Sequence, residues 1–184
     1  MGNVDNSAEA YRRYLDGDDS ALADMIRENQ EGLLLYLRSF TGSLSVAEEM
    51  MEEAFFRIAV KKPAFSGRSS FRTWLYTIAR NAAVDYQRKH KHTVPLSDTE
   101  IADERSLERE HLREEQKIEL HRAMDKLTPD YRQVLYLSFF EELSNDETAQ
   151  IMHKSRRQIE NLIYRAKASL RSVLEKEGFE YEII

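Results

Sequence analysis

The sequence contains no cysteine. That excludes disulfide staples and thiolate zinc sites, and it fits a reducing compartment. Only three prolines and six glycines punctuate 184 residues, so a many-stranded architecture with a turn every ten residues is poorly supported. No run approaches the roughly 18 consecutive apolar residues of a membrane span. The opening stretch MGNVDNSAEAYRRY lacks the basic-then-apolar order of a secretory signal, and Asn6 interrupts the myristoylation pattern. A cytoplasmic protein with no membrane insertion is expected. What is abundant is charge, 33% of the chain beside 41% hydrophobic residues, a balance that favours helices with real cores.

The net charge of −6 looks unsuited to a nucleic-acid partner, but its distribution is uneven. Residues 1–56 hold four Lys/Arg against twelve Asp/Glu, a net of −8. Residues 57–91 hold nine basic residues against Asp85 alone, a net of +8. Residues 152–171 carry six against Glu160, a net of +5. Two basic segments in an acidic chain suggest two places where phosphate is met and other surfaces where it is repelled.

Apolar residues recur at helical spacing almost throughout. Met25 and Ile26 lead through a break at Gly32 into Leu33–Leu37. Ser45-Val46-Ala47-Glu48 reads as a capping box that opens a helix with Ala47, Met50, Met51, Ala54, Phe55 and Ile58 on one side. A loop punctuated by Pro63 and Gly67 follows, then a helix from Phe71 to Arg88, capped by Ser69 or Ser70, that buries Trp74, Leu75, Ile78, Ala79 and Ala82. From His90 to Glu115 acids outnumber bases and large apolar residues are few. The expected fold is therefore all-α: two small helical domains, residues 1–90 and 116–184, joined by a flexible acidic linker over 91–115.

The second domain begins with Leu120, Ala123, Met124 and Leu127. A helix from Thr128-Pro129 follows, carrying Tyr131, Val134, Leu135, Leu137 and Phe139. Capping boxes at Ser144 and Ser155 then open two closely spaced helices, a helix-turn-helix pattern. Ile159, Leu162, Ile163, Ala166, Leu170 and Val173 form the buried stripe of the last helix. Its other side presents Arg156, Arg157, Gln158, Asn161 and Arg165 where base edges are read; Lys154, Lys167 and Arg171 suit phosphates.

The first basic segment differs in kind. Lys61, Lys62, Phe65 and Arg72 lie in or beside the loop, and Arg80, Asn81 and Arg88 on the polar arc of the helix. Cations with aromatic and amide groups suit unstacked bases, which need more than phosphate neutralisation. Phe71 and Trp74 read first as core residues, and Asp85 as the partner that orients Arg88. The acidic face of Glu48, Glu49, Glu52 and Glu53 repels DNA, leaving a solvated surface or a protein partner.

These strings resemble the extracytoplasmic-function (ECF) sigma factors of bacterial RNA polymerase. Ala47–Phe55 is similar to the family's acidic segment, and Trp74–Asn81 with Asp85 and Arg88 to its −10 helix. Leu127–Leu135 and Arg165-Ala166-Lys167 with Leu170-Arg171 resemble its −35-binding domain. The resemblance implies docking of Glu48, Glu49, Met51, Glu52, Glu53 and Phe55 on core RNA polymerase. It implies capture of −10 bases by Lys61, Lys62, Phe65, Arg72, Arg80, Asn81 and Arg88. It also implies −35 duplex contacts by Lys154, Arg156, Arg157, Gln158, Asn161, Arg165 and Lys167 in promoter DNA.

No catalytic residue, metal or cofactor is implied, and many members are restrained by an anti-sigma factor. Glu52 stands where the family has Gln, His153 stands at the Gly of the turn, and Arg156–Ile159 replaces the common small-residue entry to the last helix. A polymerase-independent helix-turn-helix regulator explains only the second domain. A metal hydrolase built on His90, His92, His111 and His121 lacks a paired-histidine motif.

Overall fold

The computed structural model describes residues 6–90 and 120–178. Every regular element among them is helical, and the expected linker over 91–115 lies outside them. The first half comprises α1 (Asn6–Leu15), α2 (Asp19–Thr41), α3 (Leu44–Lys61) and α4 (Phe71–His90). The second comprises α5 (residues 120–125), α6 (Pro129–Leu135), α7 (Asn145–Met152) and α8 (Arg156–Lys176). A π-turn over Tyr136–Phe140 extends α6.

Local chemistry sets most of the boundaries. Asp18 accepts the Ser20 amide to start α2, and Gly42, at φ 74°, ends it in the left-handed conformation. The cap of α3 is Ser43, which accepts the Val46 amide, and not Ser45; Ser45 to Glu48 lie inside the helix. The expected break at Gly32 is also absent, because α2 runs through it. Gly32 has another reason to be there. A Cβ on it would meet the Tyr76 hydroxyl at 2.7 Å and Glu141 Oε1 at 3.0 Å, so the missing side chain makes room for groups from two other elements.

Met25, Leu33, Tyr36 and Leu37 of α2 and Leu75, Tyr76 and Ala79 of α4 are buried in one cluster with Val134, Leu137 and Ile151 of the second half. Each large apolar side chain fully withdrawn from water contributes about 1.5–3 kcal/mol before entropy is charged. The two halves thus share buried surface as well as having their own. Tyr11 ties α1 to the loop after α3 by donating to the Pro63 carbonyl at 2.7 Å, while Tyr14 donates to the Ala59 carbonyl at 2.8 Å. Burial pushes the Tyr11 phenol up to about 12.

Candidate nucleic-acid interface

The helix-turn-helix is built from two reciprocal caps. Ser144 and Glu147 exchange hydrogen bonds at the start of α7, and Ser155 and Gln158 do so at the start of α8. Between them His153 occupies the left-handed conformation, φ 52° and ψ 44°, which costs an L-residue about 1–2 kcal/mol. Ile159 and Ala166 anchor α8 in the core, and Leu162, Ile163, Leu170 and Val173 pack against it. The opposite face leaves Arg157, Asn161 and Arg165 exposed.

The other expected −35 residues have intramolecular work. Arg156 is paired with Asp146 at 3.1 Å and Glu160 at 3.0 Å, and Lys154 with Asp130 at 3.1 Å. Lys167 sits 4.5 Å above the Phe139 ring. Gln158 spends its carbonyl oxygen on the Ser155 amide at 2.7 Å, so bidentate reading of adenine is closed to it while α8 is capped. Tyr164, which the sequence pattern did not single out, is the most exposed large apolar side chain of those described, at 78%.

On α4, Ser70 supplies the cap by accepting the Thr73 amide at 3.2 Å. Phe71 is fully buried, as expected, and Phe65 is drawn into the same group. Tyr11, Phe65, Phe71 and Trp74 contact one another with ring centroids 5.2–5.6 Å apart. Phe65, half-buried, therefore helps to pin the loop. Lys61 is exposed, Lys62 lies 4.5 Å over the Tyr14 ring, and Arg88 pairs with Asp85 at 3.2 Å, the orientation expected of it.

The acidic face of α3 exposes Glu48, Glu49 and Glu52, while Glu53 is engaged by Arg57 at 2.6 Å and Met51 is half-buried. Phe55 faces the core, 7% exposed. The apolar side chains that reach solvent on this helix are its neighbour Phe56, at 57%, Val60, at 61%, and Leu44 at its start, at 40%. Phe56 borders an open groove between α3 and α4 with Glu49, Glu52, Asp85 and Tyr86.

Two parts of the chain match known families: residues 25–93 match sigma-70 region 2 and residues 117–170 match sigma-70, region 4. The ECF RNA polymerase sigma factor SigM of Bacillus subtilis (strain 168) is 31% identical over 140 residues, covering 75% of this chain and 85% of SigM. The chain belongs to the ECF sigma factors. The RNA polymerase sigma factor YlaC of the same organism is 29% identical over 171 residues, covering 89% of this chain and 97% of YlaC. The fold is also that of the sigma factor RpoE from Bartonella quintana, solved with the anti-sigma factor NepR. Its TM-score is 0.63 at 21% identity, with 83% of this chain and 97% of that one covered.

In this sigma factor Arg72, Arg80 and Asn81 of α4 each meet a partner in the second half. Arg72 forms an ion pair with Glu141, whose carboxylate also accepts from the Tyr76 hydroxyl at 2.9 Å. Arg80 donates to Gln133 Oε1 at 3.2 Å, which also accepts from Tyr36 at 3.2 Å. His153 Nε2 lies 2.9 Å from Asn81 Oδ1, so with the amide oxygen accepting, the ring proton sits on Nε2. Ser70 and Thr73 hydroxyls both donate to Glu147 Oε1 at 3.1 Å.

Burial alone would raise the Glu147 carboxyl. The bonds from Ser144, Ser70 and Thr73 outweigh it and hold the group below its ordinary value. Sequence reasoning missed Tyr76, Gln133, Glu141 and Glu147, because nothing in one helix's pattern reports what another helix brings to it.

Among the described residues no group of three metal-ligating side chains occurs. His90 stacks on Tyr86 and His121 lies beside Phe140. His92 and His111 lie outside the described residues. No helix described is long and apolar enough to cross a membrane.

Proposed function

We propose that this sigma factor binds core RNA polymerase through the exposed face of α3 and brings it to promoters. α8 reads the −35 duplex, and α4 with the preceding loop captures unstacked −10 bases. One observation carries the reading furthest: α8 is capped, anchored and bare on the side where Arg157, Asn161 and Arg165 stand, as a recognition helix must be. The −10 part is supported by the basic character of this segment, where Lys61, Arg72 and Arg88 reach solvent.

On α3 the surface proposed for polymerase comprises Glu48, Glu49 and Glu52 around Phe56 and Val60, an acidic rim with an apolar centre. Phe55 has no part in it. The chain supplies no catalytic step of its own in this reading, and polymerase performs the chemistry in the cytoplasm. Purified chain added to core polymerase should support transcription from a cognate promoter; failure to associate with core in a pull-down overturns the proposal. An anti-sigma factor is a further partner of this reading, testable by co-purification from the native cell.

A further inference from the structure

Helix α8 begins against its own dipole. Arg156 and Arg157 open its first turn with no acidic residue there, although the exposed amides of a helix start favour anions. Helix stability therefore does not explain Arg156. Its Nε donates to Glu160 Oε1 at 3.0 Å, one turn along α8. Its Nη1 donates to Asp146 Oδ2 at 3.1 Å, from the first turn of α7. The pair within α8 also runs in the weaker order, cation before anion.

Despite these partners the Arg156 side chain stays 62% exposed. Exposed ion pairs add little to stability, so what this pair of carboxylates fixes is direction. With Nε and Nη1 engaged, Nη2 has no partner among the described residues. The carboxylates also carry a penalty. Residues 152–171 hold six cations, and Glu160 is the only acid among them. An anion on a helix that meets DNA weakens its attraction to phosphate. It is compensated only if it orients a group that reads bases.

We propose that Asp146 and Glu160 are positioning residues for −35 recognition. They hold the Arg156 guanidinium at the edge of α8, and its unused end donates to guanine O6 and N7 in the major groove. A fork fixed before DNA arrives loses less freedom on binding. Through Asp146, α7 takes part in base choice as well as supporting the recognition helix. The inference rests on the promoter-binding reading above and deepens it.

A duplex library randomised over the −35 region, bound by wild-type and variant chains with core polymerase, tests it. Wild type should retain sequences with guanine at a position served by Arg156. R156K keeps the charge but loses the fork, and should flatten that preference by about fivefold or more. D146N/E160Q should flatten the same position and no other; both residues are exposed, and the amides are isosteric. In parallel, anisotropy measures binding of the free chains to a labelled mixed-sequence duplex. There D146N/E160Q should bind severalfold tighter, because two anions have left the DNA-facing side, while R156K should match wild type.

A guanine preference that survives either variant overturns the positioning role. So does its loss together with weaker mixed-sequence binding, which is the signature of a damaged α8. If wild type itself selects no sequence, the promoter-binding reading fails and this inference with it. Selection by wild type that both variants leave intact removes this inference alone.

Discussion

At the scale of single residues, the Tyr76 hydroxyl is the clearest lever. Tyr76→Phe keeps the ring and removes one donor from the buried Glu141 carboxylate. A loss of about 1–3 kcal/mol in urea unfolding is expected; an unchanged midpoint would mean that Arg72 alone satisfies the group. Arg157→Ala concerns DNA instead. Its side chain is exposed near the start of α8, and its removal should flatten preference at one −35 position by about 1–3 kcal/mol. A uniform loss across sequences would make it a phosphate contact. Sequence alone identified Arg157, Asn161 and Arg165 because the apolar stripe of α8 fixes the opposite face. Sequence did not separate the two uses of Gln158, because a cap and a base reader are the same residue type; in the structure its oxygen is bonded to the Ser155 amide.

At the scale of elements, caps and one irregular turn govern the second half. Ser155→Ala deletes the α8 cap, with an expected cost of about 1 kcal/mol in thermal unfolding. Such a loss must exceed that from a change at an exposed mid-helix position such as Ala168. His153→Gly should relieve the left-handed backbone, but it also deletes the contact to Asn81. Introduced into an Asn81→Ala chain, it should therefore stabilise; destabilisation there would show that the imidazole has a second role.

The two capping boxes were legible because their four-residue signature is local. Phe139 was not. The π-turn closes Glu141 on the Tyr136 carbonyl and slips the register, leaving Phe139 51% and Phe140 41% exposed where a regular helix would have kept Phe139 inward. The α3 surface is an element-scale case too. Phe55 and Phe56 differ by one residue, about 100° around the helix, and packing on α2 and α4 selects which is buried. Phe56→Ala should weaken association with core polymerase in a pull-down while leaving the unfolding midpoint nearly unchanged.

Across the whole molecule, acid should act in two steps. Burial, aided by Arg38, lowers His121 from 6.5, with Asp125 opposing. The unfolded chain takes that proton first, so stability is intact above pH 6.5 and declines as pH falls from there through the folded value. His121→Phe should flatten this upper step in chemical denaturation at stepped pH. Glu147 has the opposite chemistry but the same acid sensitivity: its depressed value stabilises the folded chain above about 4.5 and ceases to do so as pH falls below that through the folded value. The charge map found both basic surfaces from sequence. It did not reveal that Arg72 and Ser70 meet partners in the second half, since Glu141 and Glu147 lie about 70 residues away from them, as the separations of Arg72 from Glu141 (69) and Ser70 from Glu147 (77) record.

The contacts of α4 with the second half also bear on search. A chromosome offers on the order of a million or more nonspecific sites, and every exposed cation is a reason to linger at one of them. Arg72, Arg80 and Asn81 already have partners in the second half, so each contact they make with such a site must replace one made within the chain.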